Sequence, residues 1–263
     1  MEGSAAETIA RFGAARADPA LAVLEGFHAI KHALRFGGDV ELVATSAPDE
    51  LAALADELAP DVAARLSAAA VALDPAAYAR LGPRAHHTRV AAVARRPPFD
   101  PAAVLAARRD APAVLLDDPR HLGNLGAVVR VAAGADAACV ATVGESDPWD
   151  PVAIRGSAGL HFALPVGRLA ERPVGPEGVP TGGRPLIALD PDGDELDPAA
   201  LPSDALLAFG SERHGLGEGV LATADARLRI PMRPGVSSLN LATSVAAVLF
   251  AWRLAAGPGA AQS

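Results

Sequence analysis

Short apolar runs alternate with segments of helical period through the second half of the chain. After Pro112 the apolar runs are AVLL, ACVATV, FALPV, PLIAL, ALLAF and ARLRIPM, and the segments between them include GNLGAVVRVAAGA, PVAIRGSA and EGVLAT. Such alternation predicts an α/β fold with a mostly parallel sheet and helices on both faces. The stretch Glu171–Pro185 is rich in glycine and proline, which predicts a flexible surface loop.

The last helical pattern spans about Asn240–Ala256. Its apolar residues recur on one stripe, which contains Leu241, Val245, Val248, Leu249 and Trp252. A stripe of this kind is expected in the core or at a dimer interface.

The first hundred residues predict a smaller α/β unit in the order αβαβ. One helix is expected to start at Asp18-Pro19 and a second at Pro48, with strands over Val40–Thr45 and Val90–Ala94. The apolar positions of the two helices are Val23, Phe27, Ile30 and Leu34, then Leu51, Leu54, Leu58 and Val62. Arg96–Pro101 contains three prolines and predicts a linker, so we expect domains at residues 1–98 and 99–263.

Composition excludes several classes of protein. Apolar residues make up 51% of 263, which is enough for a buried core. Because no stretch approaches the roughly 18 uninterrupted apolar residues of a membrane span, and the N-terminus lacks a signal pattern, we expect a soluble, cytoplasmic protein without a membrane partner. The single cysteine, Cys139, lies in an apolar run and predicts a buried thiol. The histidines show no metal-ligand spacing, so no metal site is predicted.

The charge of the chain is unevenly distributed. A net charge of −8 argues against a nucleic-acid partner, because phosphates are neutralised by clustered positive charge. However, Pro75–Phe99 contains no acidic residue. Its arginines and histidines are Arg80, Arg84, Arg89, Arg95, Arg96, His86 and His87. This basic stretch is compatible with RNA binding, and a solvated face or linker is the alternative.

Three separated segments combine turn-forming glycines with a few polar groups. They are Leu115–Arg130, Leu207–Leu216 and Ile230–Leu241, each placed where an apolar strand meets a helix or loop. In α/β proteins such junctions gather ligands. Taken alone, each polar residue has an ordinary structural interpretation. Asparagine or serine at a helix start is commonly a cap, and an arbitrary helical arginine commonly forms a surface ion pair.

Together the three segments resemble the motifs of the SpoU (TrmH-like) branch of the SPOUT RNA methyltransferases. The first matches Asn-x-Gly-x-x-x-Arg with Asn124, Gly126 and Arg130, and the second matches Gly-x-Glu-x-x-Gly-Leu from Gly210. The third combines Ile230-Pro231-Met232 with Ser238-Leu239-Asn240. A looser fourth match is RGSAG at residues 155–159. One departure is His121-Leu122, where the family commonly has Asp-Pro. This difference concerns only the shape of the local loop, because the matching Asn, Gly and Arg are all present.

The resemblance implies a C-terminal deep trefoil knot, a homodimer and S-adenosylmethionine as cofactor. The site residues carried over from the family are Arg130, Asn124, Glu212, Ser238 and Asn240 for catalysis, and Phe209, Gly210, Ile230, Met232, Leu239 and Asn240 for the cofactor. In the family the arginine often acts across the dimer interface. Since a guanidinium is hard to deprotonate, we expect Arg130 to position the target phosphate and stabilise negative charge, with the proton leaving to water or to the cofactor carboxylate.

The N-terminal unit, with GFHAIKHALR on a helix, more loosely resembles an L30e-like RNA-binding domain. This implies RNA contacts from Lys31, Arg35, Arg84 and Arg89. The implied reaction is methylation of a ribose 2′-hydroxyl, with ribosomal RNA favoured over transfer RNA. The alternatives are a transfer-RNA methyltransferase of the same branch, a catalytically silent RNA-binding protein, and an ordinary nucleotide-binding α/β enzyme. The target nucleotide and its base are not indicated by the sequence.

Overall fold

The computed structural model describes residues 5–82, 86–107, 110–170, 178–236 and 238–257. The chain divides into two compact units. The first unit contains Met1–Pro98 and Trp149–Ala163, and the second contains Phe99–Pro148 and Leu164–Ser263. The division after Pro98 falls within the linker expected from the prolines. In the part of the chain that is described, no helix is both long and apolar enough to cross a membrane.

The N-terminal part of the first unit forms a sheet flanked by helices. Its elements in chain order are α1 (Ala5–Ala17), β1 (Leu21–Glu25), α2 (Phe27–Arg35), β2 (Val40–Thr45), α3 (Pro48–Leu58), α4 (Ala63–Ala69), β3 (Ala70–Ala72), α5 (Pro75–Ala79) and β4 (Val90–Arg95). The strand order is β1-β4-β2-β3. Strand β4 is antiparallel to both β1 and β2, whereas β2 and β3 are parallel. Both strands that the sequence predicted in this region are confirmed.

The two predicted helices of this unit were wrong at their ends. Val23 lies in strand β1 because Leu21–Leu24 are all buried and pair with β4, and Gly26, at φ 91°, separates this strand from helix α2. The second helix ends at Leu58, before Pro60, and Val62 caps α4 instead. Helix α1, which the sequence analysis missed, buries Phe12 against β1 and the other core residues of the unit.

The remaining chain alternates strands and helices. Its elements are α6 (Pro101–Ala107), β5 (Ala113–Asp117), α7 (Leu122–Gly134), β6 (Val140–Val143), α8 (Pro151–Gly156), β7 (Val166–Ala170), β8 (Leu186–Glu195), β9 (Leu206–Phe209), α9 (Glu218–Thr223), β10 (Ala226–Arg229) and α10 (Leu241–Ala256). The strand order of the second unit is β10-β8-β9-β5-β6-β7, and each neighbouring pair is parallel. The predicted parallel sheet is therefore confirmed.

The apolar stripe of α10 forms part of the core. All five of its residues are buried, and α10 packs against α7. Cys139 is also fully buried, and burial raises the pKa of its thiol to about 11, as expected for a structural cysteine. The predicted loop over Glu171–Pro185 includes residues 171–177, which lie outside the described residues. In its described part Arg184 is buried and donates to the carbonyl oxygens of Leu105, Ala111 and Asp204, so this part is anchored.

One segment departs from the expected continuous domain over residues 99–263. Trp149–Ala163 belongs to the first unit, where α8 packs against β1 and Arg155 pairs with Glu25. Gly159 adopts φ 78°, and a Cβ built on it would lie 2.4 Å from the carbonyl oxygen of Ala29. The backbones approach each other so closely here that only glycine fits.

This close approach predicts an unequal cost for two glycine substitutions. Gly159→Ala has to leave or strain a left-handed conformation and also displace the Ala29 backbone, so we expect it to lower the free energy of unfolding by roughly 2–4 kcal/mol. Gly37 is the matched control, since its φ is 77° and nothing lies within 4 Å of a built Cβ. Gly37→Ala should cost about 1 kcal/mol. Equal losses in urea unfolding would contradict a steric role for Gly159.

Candidate active site

A cavity of about 520 Å³ lies at the carboxyl edge of the sheet in the second unit. Because the strands are parallel, the segments that follow β5, β9 and β10 emerge at this same edge. Each of these segments contributes to the cavity wall. The contributions are His121 and Asn124, then Phe209, Gly210, Ser211, Glu212 and Gly215, then Ile230, Met232, Ser238, Leu239 and Asn240.

A chain of side-chain hydrogen bonds joins these three segments. Asn124 donates from Nδ2 to Oε1 of Glu212 at 2.6 Å, and Asn240 donates from Nδ2 to Oδ1 of Asn124 at 3.1 Å. Oδ1 of Asn240 in turn accepts from the backbone N–H of Ala242 at 3.0 Å and caps α10. Since an ionised carboxylate only accepts, Glu212 fixes the orientation of both amides.

The role of Asn124 differs from the expected helix cap. Helix α7 begins at Leu122 with His121 as its N-cap residue, so Asn124 lies within the first turn. Its amide therefore reaches across to the loop after β9. Asn240, by contrast, is both a cap and a member of the hydrogen-bond chain. Asn240 is therefore both the helix cap expected from its position and a residue of the cavity wall.

A tight turn presents Glu212 to the cavity. Ser211 and Gly215 exchange backbone hydrogen bonds, both at 3.0 Å, and Gly215 adopts φ 66°. A Cβ built on Gly210 would lie 2.0 Å from the carbonyl carbon of Gly215. Glycine is thus required at Gly210 by the close approach of the two backbone segments, and at Gly215 by its left-handed conformation.

Asp117 fastens the far end of this turn to the sheet. Its side chain is 4% exposed at the end of β5, and Oδ2 accepts the backbone N–H of Gly217 at 2.7 Å. Burial raises the pKa of Asp117 above its ordinary value, and the charge of Asp118 acts in the same direction. Asp117 was not among the predicted site residues.

The predicted site residues converge except for one. All six residues expected around the cofactor line the cavity, and so do four of the five expected to be catalytic. Arg130 is the exception, because it follows Asn124 by six helical residues and therefore points about 120° away around the axis of α7. Its side chain is exposed and forms no hydrogen bond or ion pair with other described residues.

The model of the SpoU rRNA methylase family matches residues 111–250, more than half of the chain. The chain belongs to the SpoU family. It is 35% identical over 167 residues to a tRNA/rRNA methyltransferase of Mycobacterium bovis, an alignment that covers 61% of the chain and 58% of the relative. It is also 31% identical over 160 residues to the 23S rRNA (uridine(2479)-2′-O)-methyltransferase of Streptomyces viridochromogenes, covering 58% and 56%. The chain thus spans a little more than half the length of these curated relatives.

A solved structure with a similar fold is the SpoU methyltransferase AviRb of Streptomyces viridochromogenes in complex with the cofactor AdoMet. It superimposes with a TM-score of 0.73 at 25% identity, over 94% of this chain and 97% of AviRb. The SpoU motifs identified in the sequence are therefore set in the fold that the family has.

The residues predicted to bind RNA lie in the first unit of the SpoU chain. Arg35 makes two hydrogen bonds to the carboxylate of Asp61, at 2.6 and 2.7 Å, and Arg89 is paired with Glu50. Lys31 lies over the ring of Phe27. Arg84 lies outside the described residues. Within the basic stretch, Arg95 is also paired, with Asp39 and Glu41. Much of the positive charge that the sequence offered for RNA is therefore neutralised locally.

Several cavity residues were missed by the sequence analysis. Leu189, which pairs with Phe209 at the end of β9, lines the cavity together with Asp190 and Pro191. Asp190 and Pro191 lie where the register between β8 and β10 shifts, since Arg227 pairs with Ala188 and the next residue, Leu228, pairs with Asp194. The apolar run that predicts β8 ends at Leu189. The Ser157 of the fourth, looser motif is not among the cavity residues, since it belongs to the first unit and its buried hydroxyl bonds to Ile154 and His161.

The hydrogen-bond chain predicts a rescue by exchanging an amide and a carboxylate. Asn124→Asp removes the donor that Glu212 needs and opposes two carboxylates, so we expect the free energy of unfolding to fall by about 1 kcal/mol. Adding Glu212→Gln restores a donor–acceptor pair of reversed direction, and the carboxylate introduced at position 124 still accepts from Asn240. Urea unfolding of both single variants and the double variant measures the coupling. Purely additive losses would contradict a direct bond between the two side chains.

Buried Asp117 predicts a pH-dependent effect. Folding raises the pKa of Asp117 above about 3.8. The stability that this side chain contributes is therefore present at acid pH and is lost as pH rises through its pKa in the folded state. Asp117→Asn removes the buried charge and keeps an acceptor for Gly217. We expect the variant to be more stable than wild type at neutral pH, with the gain shrinking as pH falls toward about 4. Urea unfolding across that range tests this, and a pH-independent difference would contradict it.

Proposed function

We propose that this SpoU protein transfers a methyl group from S-adenosylmethionine to a ribose 2′-hydroxyl of ribosomal RNA. The observation that carries the proposal is the convergence of Asn124, Glu212, Ser238 and Asn240, from three distant segments, on one cavity. Two relatives named as 23S rRNA 2′-O-methyltransferases support the same reaction and favour 23S ribosomal RNA. A transfer-RNA methyltransferase of the same branch, a silent RNA-binding protein and an ordinary nucleotide-binding enzyme remain the alternatives. The cytoplasmic location expected from the sequence stays a prediction.

The cavity suits the proposed cofactor in size and chemistry. Its volume lies within the range of about 300–1,000 Å³ typical of small-molecule sites. Apolar side chains from Phe209, Ile230, Met232 and Leu239 offer a surface for an adenine ring, and the adjoining backbone offers donors and acceptors. When bound, S-adenosylmethionine supplies an electrophilic methyl group. The residues of the hydrogen-bond chain would keep the three cavity loops in register around it.

The ribose hydroxyl has to lose a proton during attack. A guanidinium cannot accept that proton, so Arg130 is proposed to hold the adjacent phosphate and to stabilise developing negative charge while the proton leaves to water. Glu212 is held by Asn124 through one carboxylate oxygen, which leaves its second oxygen to orient a hydroxyl at the cavity. In this proposal Glu212 orients the hydroxyl, whereas Arg130 supplies the positive charge that holds the phosphate and stabilises the developing negative charge.

The placement of Arg130 outside the cavity supports a homodimer. Gly134 follows Arg130 by one turn of α7, and a Cβ built on Gly134 would lie 3.8 Å from the ring of Phe250. Phe250 is 41% exposed and Leu254, one turn further along α10, is 83% exposed. An apolar surface beside Arg130 is therefore available to a second copy, which would bring Arg130 of one protomer to the cavity of the other.

A trefoil knot is also proposed for the C-terminal part of the second unit. After β10, at the edge of the sheet, the chain returns so that Asn240 bonds to Asn124 and α10 packs against α7. Such a return over the middle of the sheet is compatible with the threading that the family resemblance implies. Knots are otherwise rare in proteins, so this expectation depends on the resemblance.

The proposed reaction is tested with methyl-labelled S-adenosylmethionine and separately purified ribosomal and transfer RNAs. We expect label on a ribose of ribosomal RNA, located by nuclease digestion and mass spectrometry, and a loss of about 100-fold or more in Arg130→Ala. Arg130→Lys should remain strongly impaired, because a point charge cannot replace the planar guanidinium. Label on transfer RNA alone would select the second activity. Cofactor and RNA binding without transfer would select the silent RNA-binding protein, and failure of S-adenosylmethionine to bind would favour the nucleotide-binding enzyme.

Mixing inactive variants is the control for the cross-protomer role of Arg130. If Arg130 acts in the partner's site, co-refolded Arg130→Ala and Glu212→Gln chains form heterodimers in which one site is intact. We expect partial recovery of transfer in the mixture and none in either parent. No recovery, with heterodimers present in native mass spectrometry, would place Arg130 in its own protomer's site.

A further inference from the structure

The arginines of the described residues are unevenly paired. Most of them bond to a carboxylate or to a backbone carbonyl oxygen, as Arg35, Arg120, Arg229 and Arg253 do. The arginines whose side chains form neither a hydrogen bond nor an ion pair with other described residues are Arg80, Arg130, Arg213 and Arg233. In a protein with 31 acidic and 23 basic residues, an exposed arginine without a carboxylate partner is a distinctive feature.

Two of these unpaired arginines lie on the loops that form the cavity. Arg213 belongs to the tight turn and lies between two residues of the cavity wall, Glu212 and Gly215. Arg233 directly follows Met232, which also lines the cavity. Both arginines are exposed, and their loops follow β9 and β10 at the same edge of the sheet. They therefore border the cavity without forming its wall.

Two other described arginines on or beside the cavity wall are occupied. Arg229 lines the cavity but donates to the carbonyl oxygen of Gly193 at 2.7 Å and is 3.5 Å from Glu195. Arg120, just before the cavity residue His121, is bound to Asp118. An incoming phosphate would have to displace these partners. At Arg213 and Arg233 it meets an exposed guanidinium that has no hydrogen bond or ion pair with other described residues.

We propose that Arg213 and Arg233 form an RNA-backbone subsite at the rim of the cavity. The planar guanidinium forks match phosphate oxygens in a bidentate manner. Two such groups, one on the loop after β9 and one on the loop after β10, would hold the RNA strand on either side of the nucleotide that enters the cavity and offset the repulsion from Glu212 and Asp190. This inference rests on the proposed function and names how the site holds its RNA, in place of the paired Arg35 and Arg89 of the first unit.

The subsite is tested with the double variant Arg213→Gln, Arg233→Gln. We expect binding of a short fluorescent single-stranded RNA to weaken roughly tenfold at low salt. The slope of log K against log salt, measured by anisotropy over about 50–200 mM, should fall by about 0.7 for each lost contact. With ribosomal RNA as substrate, KM should rise while kcat at saturating RNA stays unchanged. S-adenosylmethionine affinity by calorimetry should also stay unchanged, which reports an intact cavity.

Two control variants separate the effect of lost positive charge at these two positions from the effect of substituting an arginine elsewhere. The Arg213→Lys, Arg233→Lys variant keeps both charges and should keep the wild-type salt slope. Arg227→Gln changes another exposed arginine of the second unit, one that donates to the carbonyl oxygen of Leu221 at 3.0 Å, and should leave RNA binding as in wild type.

The outcomes distinguish this inference from the proposed reaction. An unchanged salt slope and KM in the Gln/Gln variant would overturn the subsite even if wild type methylates RNA. A reduced slope in that variant, with no transfer by wild type to any RNA, would support the subsite and reject the reaction. If wild type binds no RNA, both proposals are wrong.

Discussion

The side chain of Asn124 is the connection on which the cavity depends. It donates to Glu212, 88 residues away in the sequence, and accepts from Asn240, 116 residues away. Each bond is exposed and modest in energy, so its importance is geometric. Because Glu212 can only accept, the three side chains have a single consistent arrangement of donors and acceptors. The loops after β5, β9 and β10 are thereby held in register at one edge of the sheet.

The backbone around this chain is built for close approach. Gly210 and Gly215 allow the turn that presents Glu212, and buried Asp117 holds the far end of that turn through Gly217. Burial disfavours the charged form of Asp117. The same carboxylate is nevertheless the acceptor that binds the backbone N–H of Gly217 at the end of the turn. The site thus consists of polar side chains on a narrowly constrained backbone.

Charge distribution, and not net charge, decides where this acidic protein presents unpaired cations. In the first unit most of the described arginines are neutralised locally, as Arg35 with Asp61 and Arg89 with Glu50 show, and Arg80 is an exception. Around the cavity of the second unit, by contrast, Arg213 and Arg233 have no such partners among the described residues, and Arg130 is likewise unpaired on α7. Ion pairs made within the fold therefore determine which of the cations remain available to a ligand.

The sequence by itself determined the parallel sheet, the final helix and half of the cavity residues, because strand and helix periodicities are local and the SpoU motifs combine residue types with fixed spacing. It could not place β1, since a strand is defined by its partner β4, nor follow β8 beyond Leu189, since that extension depends on pairing with β10. Only the tertiary structure assigned Trp149–Ala163 to the first unit and decided which arginines were paired. These are contacts between residues far apart in the chain, and local pattern holds no information about them.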